Sequence, residues 1–444
     1  MKVCLLNDSF PPVIDGVANV VMNYAKIMQE DKLAEVLVGT PQYPEVDYSC
    51  YPYRVIPYKS FDTTRIVKGY RAGNPLDIKE IEDMADFRPD IIHSHCPVAS
   101  TVLARILRAK TGAPLIFTYH TKFDVDIAKA VKAELIQQAA VKALVSNIEA
   151  CDEVWVVSRG AGENLRSLGF EGDYHVVSNG VDFAKGPVAP SEVEEAVKGY
   201  DLPEGVPVFL FVGRIIKYKG IPLIFDALAK MAADGQAFRM VLIGSGPDEE
   251  ELKEQARQYG LLDGEGPGKC IFVGPVYDRD NLRAWNTRAD LFLFPSTYDT
   301  NGIVVREAAA CGLASVLIEG SCAAEGITHG RNGYLIENSA DSLYALLGEL
   351  SRRLDHVHQV GINAMDEIYI SWKESVYAAH QRYQEIIELK KSGKLVEKTS
   401  VLAEKFFGFS EELSEELEKI FRLPQRLMGG VREDMENMIG RFRD

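Results

Sequence analysis

Short runs of β-branched and aliphatic residues recur along this chain, and a segment long enough for a helix follows most of them. Runs of this length, bounded by turn residues and separated by helical stretches, indicate βαβ units and therefore parallel sheets. The predicted strands form two series of six. The first series is 2–7, 35–39, 90–94, 114–119, 153–157 and 174–178, and the second is 207–212, 239–243, 270–273, 290–294, 314–318 and 333–336.

The two series are separated by a segment with the composition of a linker. Residues 183–207 contain four prolines and a short acidic stretch of helical character. A chain of 444 residues is also too long for one ordinary core. We therefore expect an α/β protein with two doubly wound Rossmann-like domains facing a cleft. The expected domains are 1–183 and 207–371, with a linker or hinge at 184–206.

The end of the chain extends past the last α/β unit. We expect 372–390 to be a terminal helix that packs back toward the first domain. In 391–444, apolar residues recur at a spacing of three to four, which predicts an amphipathic helical extension. Because the polar face of this helix is acidic, an anionic bilayer would repel it. We therefore expect it to dock on the protein itself or on a partner.

Charge and composition exclude several classes of protein. The net charge of −16 disfavours nucleic-acid binding, which requires a positive surface. The first residues lack an apolar stretch of signal-peptide length, and no run of about 18 apolar residues occurs. The seven cysteines have no CxxC spacing and indicate reduced thiols rather than disulfides or a zinc site. We expect a cytoplasmic protein, with peripheral membrane contact as an open alternative.

Polar residues follow many of the predicted strands. In open α/β sheets, ligands bind beyond the carboxyl ends of the strands, so these residues are the first candidates for a functional site. In the first series they include Asp8, His93, His95 and His120. We take His120 as a catalytic candidate, and Asp8 and His95 as candidates on the acceptor side. Capping or core roles are the alternatives for the histidines.

The segment VGRIIKYKG places Arg214 at the end of a predicted strand and Lys219 just before a predicted helix. Two cations near a helix N-terminus suit a diphosphate, because the charges and the backbone N–H groups act together. The alternative is a surface pair around a turn, and Lys217 competes with Lys219 for the role. Downstream, Ser245 and Gly246 belong to a GxG turn that lacks the third glycine of a dinucleotide-binding motif.

The segment 294–312 contains a strand end, a polar turn and the start of a helix. Asp299 and Glu307 are eight residues apart, a spacing that lets one carboxylate reach sugar hydroxyls and the other a ribose. The N–H groups of Gly302, Ile303 and Val304 are candidates for holding phosphate. The alternative is an N-capping Asp followed by a Glu on the helix surface.

The string STYDTNGIVVREAAACG, residues 296–312, resembles the E-x7-E signature of the family-4 retaining glycosyltransferases. The segments TYHT, VVSNGVD, VGRIIKYKG and IGSGP also stand in the order found in that family. The resemblance extends over about residues 1–390. It implies a GT-B fold and a nucleotide-sugar donor.

The resemblance also implies roles for individual residues. Arg214 and Lys219 would bind the leaving diphosphate, Glu307 would hold the ribose, and Asp299 would contact hydroxyls of the donor sugar. His120 would orient the sugar near its anomeric centre. Three further residues would line the donor site: Gly16, Ser245 and Gly246.

This chain departs from the family pattern at two positions. Asp299 stands where the family has Glu, and Asn301 replaces an aromatic residue before the glycine. Asp is shorter than Glu by about 1.5 Å, one C–C bond. The identity of the sugar therefore does not follow from the family's Glu.

The expected activity is retaining transfer of a hexose from a nucleotide-sugar, with UDP favoured over GDP and ADP, to a hydroxyl acceptor. Four basic residues stand beside apolar ones, which fits either contact with a membrane lipid such as diacylglycerol or ordinary solvated charges: Lys59, Arg65, Lys68 and Arg71. The alternatives are a polysaccharide or small-molecule acceptor, a sugar-nucleotide epimerase, and a non-catalytic sugar-nucleotide sensor. We expect no cofactor and no metal, and we interpret Asp124 and Asp126 as acids at a helix N-terminus.

Overall fold

The computed structural model describes residues 1–63, 70–76, 78–124, 127, 134–262, 266–396 and 398. The chain divides into two compact units and passes between them more than once. Unit 1 contains 1–156, 164–175 and the chain from Ala378 onward, and unit 2 contains 157–163 and 176–377. The domain limits expected from composition stay predictions.

Unit 1 is built on a seven-stranded sheet and a small two-stranded sheet. Its strands are β1 Lys2–Leu6, β2 Glu35–Pro41, β3 Arg54–Tyr58, β4 Ser60–Asp62, β5 Arg71–Gly73, β6 Ile91–Ser94, β7 Leu115–Tyr119, β8 Glu153–Val156 and β9 His175–Val176. The large sheet has the order β3-β2-β1-β6-β7-β8-β9, and the pairs from β3 to β8 are parallel. The order reverses at β1, which lies between β2 and β6.

In the described residues, helices follow four strands of the large sheet and strand β5 of the small one. They are α1 Gly16–Glu30, α2 Ile78–Asp86, α3 Ala99–Thr111, α4 Glu134–Glu149 and α5 Arg159–Ser167. Local sequence sets their ends: Asp15 caps α1 by accepting from Val17 N and Ala18 N. At its other end, α3 stops at Gly112, which has a φ of 72°.

Unit 2 contains a six-stranded parallel sheet of order β12-β11-β10-β13-β14-β15. Its strands are β10 Val208–Val212, β11 Phe238–Ile243, β12 Gly268–Gly274, β13 Leu291–Phe294, β14 Ser315–Ile318 and β15 Tyr334–Ile336. Its helices are α6 Pro190–Ala196, α7 Ile221–Ala233, α8 Glu249–Gln258, α9 Arg279–Arg288, α10 Ile303–Ala310, α11 Ala340–Leu350, α12 Leu354–Glu367 and the start of α13 Trp372–Lys391, which continues into unit 1.

The central strands of both sheets are almost uninterrupted apolar runs. In unit 2, β11 and β13 have the sequences FRMVLI and LFLF, and every residue of both is buried. Helices cover both faces of a parallel sheet, so neither face of its strands meets water. The order of the unit 2 strands reverses at β10, and ligands of such sheets bind beyond the carboxyl ends at this reversal.

All twelve predicted strands are present, so the prediction of an α/β fold with two parallel sheets is confirmed. Three strands were missed: β3, β4 and β5. The sequence of β3, RVIPY, contains a proline, which argues against a strand except at a sheet edge, and β3 does lie at the edge. Arg65, Lys68 and Asp126 lie outside the described residues, and so does the predicted extension of 391–444 except for 391–396 and 398.

Candidate functional site

Predicted site residues occur in both units. In unit 2, the loop after β10 carries Arg214 and ends in a 3₁₀ turn, Lys217–Lys219. Gly220 follows with a φ of 83°, and a Cβ at this position would lie 2.2 Å from the backbone oxygen of Pro295. Glycine is therefore required there, and it brings the turn against the loop after β13.

The two lysines of this turn have different partners. Lys219 Nζ lies 3.0 Å from Asp299 Oδ1 and 5.2 Å from the centroid of the Phe294 ring. Lys217 is exposed and contacts Glu251 of α8. The structure therefore associates Lys219, rather than Lys217, with the loop that carries Asp299.

Arg214 is exposed, and no described side chain forms an ion pair with it. Its loop runs beside the GxG turn, since Ile215 N donates to the Ser245 backbone oxygen at 3.0 Å. Gly246 makes this approach possible, because a Cβ there would lie 2.2 Å from the Ile215 oxygen. Ser245 itself is exposed. Unit 2 thus presents an uncompensated cation next to a turn with an accessible hydroxyl.

The loop before α10 holds the Asp299 carboxylate by both oxygens. Oδ1 accepts from Lys219, and Oδ2 accepts from Ser296 Oγ at 2.6 Å. Ser296 is buried, whereas Asp299 is half-buried. The short Asp side chain is therefore oriented by its own loop and by the turn after β10.

The N-terminus of α10 has no side-chain cap. Gly302 occupies the N-cap position with a φ of 58°. Within the described residues, the backbone N–H groups of Ile303 and Val304 have no hydrogen-bond acceptor. Uncapped amides at a helix N-terminus favour an anion, so the arrangement suits a phosphate group.

Glu307 lies further along α10 and is buried, with 9% of its side chain exposed. Its Oε1 contacts Arg279 Nη2 at the start of α9. Burial raises the pKa of Glu307, and the neighbouring Arg279 acts in the opposite direction. The alternative prediction, that Glu307 lies on the helix surface, does not fit this buried side chain.

Unit 1 gathers three histidines near the carboxyl ends of β6 and β7. His120 follows β7, and its Nε2 lies 3.0 Å from His95 Nδ1, with the two rings stacked. His93 makes hydrogen bonds with Tyr383 Oη at 2.5 Å and Thr118 Oγ1 at 2.7 Å. The rings of His93 and His95 are 4.0 Å apart. The three imidazoles thus form one connected polar cluster.

All three histidines are buried, and this burial favours the neutral imidazole. It lowers the pKa of His120 to about 3, and it lowers the pKa values of His93 and His95 well below their usual range. His95, predicted on the acceptor side, is only 3% exposed and faces His120.

Asp8 and Gly16 occupy the region after β1. Asp8 Oδ1 accepts from Ser100 N at 2.8 Å and also from the hydroxyls of Ser100 and Tyr58, so it caps the start of α3. Burial raises the pKa of Asp8, against its hydrogen bonds with Cys96, Ser100 and Tyr58. A Cβ on Gly16 would meet no atom within 4 Å, so packing inside unit 1 does not require this glycine.

Neither a candidate metal site nor a membrane-spanning helix occurs in the described part of the chain. No cluster of three or more His, Cys, Asp or Glu residues there is arranged to hold a metal ion. Among the same residues, no helix combines the length and apolar character needed to cross a bilayer.

Two family descriptions match consecutive parts of the chain. "Glycosyltransferase Family 4" matches residues 14–185, and "Glycosyl transferases group 1" matches residues 192–365. The chain belongs to the family-4 glycosyltransferases. Its two-unit α/β architecture is the GT-B fold. The crystal structure of HepE from Anabaena in complex with UDP matches with a TM-score of 0.68 and 19% identity, over 87% of this chain and 100% of that one.

Two relatives of this glycosyltransferase have names that describe different activities. It is 24% identical to the alpha-monoglucosyldiacylglycerol synthase of Streptococcus pneumoniae over 355 residues, 78% of this chain and 75% of that protein. It is 28% identical to the D-inositol 3-phosphate glycosyltransferase 2 of Catenulispora acidiphila over 310 residues, 67% of this chain and 71% of that protein.

Sequence reasoning missed several partners of the predicted residues in this glycosyltransferase. Arg279 contacts Glu307, Ser296 holds Asp299, and Tyr383 bonds His93. Only Ser296 carried a local signal, because it stands three residues before Asp299 in the same turn. Arg279 is 28 positions from its partner and Tyr383 is 290 from its own, so neither could be found from spacing.

Proposed function

We propose that this glycosyltransferase moves a hexosyl group from a UDP-sugar to a hydroxyl of an acceptor, with retention of anomeric configuration. The observation that carries the proposal is the combination within unit 2 of Arg214, the uncapped α10 N-terminus and the buried Glu307. Cations and free amides suit a diphosphate, and a buried carboxylate suits ribose hydroxyls. The UDP complex of HepE, a protein of the same fold, supports UDP as the carrier.

In the proposed reaction, the bond between the anomeric carbon and the diphosphate oxygen breaks, and a bond from the acceptor oxygen to that carbon forms. The acceptor loses its hydroxyl proton, and the departing diphosphate takes it up on the same face. Arg214, Lys219 and the amides of Ile303 and Val304 stabilise the negative charge that develops on the diphosphate. This preorganised electrostatic contribution is expected to be the largest contribution to the rate.

The roles proposed in unit 1 rest on the resemblance and on local geometry. Gly16 has open space around it and starts α1, which suits close approach of a phosphate-bearing ligand. His120 is proposed to orient the donor sugar as a neutral imidazole, because burial lowers its pKa to about 3. Neither role requires a metal ion or a cofactor.

We propose a membrane lipid with a free hydroxyl, diacylglycerol, as the acceptor. The support is the similarity to the alpha-monoglucosyldiacylglycerol synthase over 78% of this chain. An inositol phosphate is the second candidate, supported by the similarity to the D-inositol 3-phosphate glycosyltransferase. The enzyme would then act at the surface of the membrane as a peripheral protein.

The first experiment measures thermal unfolding of the purified protein with UDP, GDP, ADP and their common sugar conjugates. A ligand that binds the folded state raises the unfolding midpoint. At a ligand concentration one hundred times Kd, it adds about 2.7 kcal/mol to the free energy of unfolding. We expect UDP and one UDP-sugar to give the largest shift. No shift with any nucleotide at millimolar concentration would contradict the proposed donor site.

The second experiment measures transfer. The stabilising UDP-sugar is incubated with diacylglycerol in mixed micelles or with inositol phosphate, and the product is identified by mass spectrometry and its anomeric configuration by NMR. We expect a product with diacylglycerol, carrying the same anomeric configuration as the donor. Product with inositol phosphate alone would reject the lipid acceptor, and an inverted product would reject retention.

A further inference from the structure

Arg279 is the first residue of α9, and the sequence provides no signal that it belongs to a binding site. Its guanidinium contacts Glu307 Oε1 and lies 4.5 Å from the centroid of the Phe183 ring. One of its nitrogens is also 3.9 Å from Asp182 Oδ2. Three contacts of two kinds thus hold the guanidinium: one aromatic face and two carboxylates.

The Glu307 carboxylate has one oxygen occupied and one available. Oε1 is bound to Arg279, whereas Oε2 has no hydrogen-bond donor among the residues that the structure describes. The Glu307 side chain is 9% exposed and the Arg279 side chain 45% exposed. A buried carboxylate that is anchored at one oxygen presents its other oxygen in a defined direction, which is what recognition of a hydroxyl requires.

We propose that Arg279 is a positioning residue: it holds the Glu307 carboxylate at Oε1 and orients Oε2 toward the ribose hydroxyls of the donor nucleotide. This inference rests on the proposed function, because it takes the ribose as the ligand of Glu307. Its consequence is that the Arg279–Glu307 pair sets the preference for a ribonucleotide over a deoxyribonucleotide. A purely structural Arg279 would instead affect folding and leave that preference unchanged.

The physical reason lies in the burial of Glu307. Without Arg279, the carboxylate would be buried with no cation beside it, and burial favours its protonated form. A protonated or reoriented carboxyl group is a poorer acceptor for two hydroxyl donors. A hydrogen bond to a charged group corresponds to an affinity ratio of about 10- to 100-fold.

The test compares the affinities for UDP and for its 2′-deoxy and 3′-deoxy forms, measured by calorimetry on the full chain. We expect the wild type to prefer UDP by about 10- to 100-fold over at least one deoxy form. We expect Arg279→Ala to reduce this preference to within about threefold of unity, and Arg279→Lys, which keeps the charge, to retain part of it. GDP or ADP with their deoxy forms replace UDP if either gives the larger thermal shift.

Arg283→Ala is the matched control. Arg283 is one turn further along α9 and donates to the backbone oxygens of Ala184 and Gly186, so it anchors the same neighbouring segment without contacting Glu307. We expect Arg283→Ala to keep the wild-type preference for UDP. The unfolding midpoint of each variant without ligand shows whether it is folded.

A double variant tests whether Arg279 acts through Glu307. Because Arg279 acts through Glu307, the preference in Arg279→Ala/Glu307→Gln should equal that in Glu307→Gln alone. A folded Arg279→Ala protein that keeps the full preference would overturn the inference about Arg279. If Glu307→Gln also kept the preference for UDP over its deoxy forms, the ribose role of Glu307 would be wrong. If the wild type bound no nucleotide, the proposed function itself would fail.

Discussion

The ammonium group of Lys219 lies 3.0 Å from Oδ1 of Asp299, although 80 positions separate the two residues in the chain. The pair joins the turn after β10 to the loop before α10. Both residues have predicted contacts with the donor, Lys219 with the diphosphate and Asp299 with the sugar. Their opposite charges neutralise each other, so a donor that contacts both residues has to share or rearrange this contact.

Replacing Asp299 with Asn removes the negative charge and keeps the shape of the side chain. We expect Asp299→Asn to bind UDP no more weakly than the wild type, because Lys219 is then free for phosphate. The UDP-sugar should lose affinity relative to UDP, and transfer should fall at least about tenfold. Ser296→Ala removes one hydrogen bond from Oδ2 and should have a smaller effect, about two- to tenfold. Unchanged rates and an unchanged ratio of affinities in Asp299→Asn would contradict this role.

The two lysines of the 3₁₀ turn provide a direct comparison. Lys219 faces Asp299, whereas Lys217 is exposed and contacts Glu251. We expect Lys219→Ala to weaken UDP binding by about 10- to 100-fold, the range for a hydrogen bond to a charged group. Lys217→Ala should stay within about threefold of the wild type, since exposed ion pairs contribute little. Calorimetric titration with UDP measures both, and equal losses would show that Lys219 has no special role.

Gly220 is expected to be essential for the geometry of the same turn. Its φ of 83° disfavours any other residue by about 1–2 kcal/mol. A Cβ there would also meet the Pro295 oxygen at 2.2 Å, which adds about 1–3 kcal/mol for overpacking. Gly220→Ala should therefore lower the free energy of unfolding and weaken UDP binding.

Gly235→Ala is the control for this effect. Gly235 also has a positive φ, 74°, but nothing lies within 4 Å of a Cβ built on it. The difference between the two variants isolates the close approach to Pro295. Chemical denaturation of both proteins measures the difference, and equal free energies of unfolding would show that the Pro295 loop moves freely.

The buried histidines predict how stability depends on pH. The pKa of His120 is about 3 in the folded protein, and that of an unfolded histidine is about 6.5. Between these values the unfolded chain binds more protons, so the folded state loses stability as pH falls below 6.5. Each such histidine contributes a slope of up to about 1.4 kcal/mol per pH unit. His93 and His95 act in the same direction.

The measurement is the free energy of unfolding between pH 7.5 and 5.0, where carboxylates contribute less. We expect a steep loss in the wild type and a shallower one in His120→Gln, which removes one titrating group. If His120→Gln left the slope unchanged, His120 would bind protons equally in the folded and unfolded states.

The alternation of apolar runs and helical segments was sufficient to predict both parallel sheets. It did not predict β3, an edge strand that contains Pro57. A run of buried apolar residues identifies a strand covered on both faces, and fewer residues of an edge strand are buried. The linear motifs placed Asp299, Gly302 and Glu307 on one loop and one helix. They did not identify Arg279 or distinguish Lys219 from Lys217, since these depend on contacts between distant segments.

The sequence by itself determined twelve of the strands, the order of the motifs and the family to which they belong. These features are local, because hydrophobic periodicity, turn residues and motif spacing act within one or two elements. Only the tertiary structure decided the partners: Lys219 with Asp299, Arg279 with Glu307, and His95 with His120. Such pairs form where parallel strands bring their carboxyl ends to one edge, so residues far apart in the chain become neighbours.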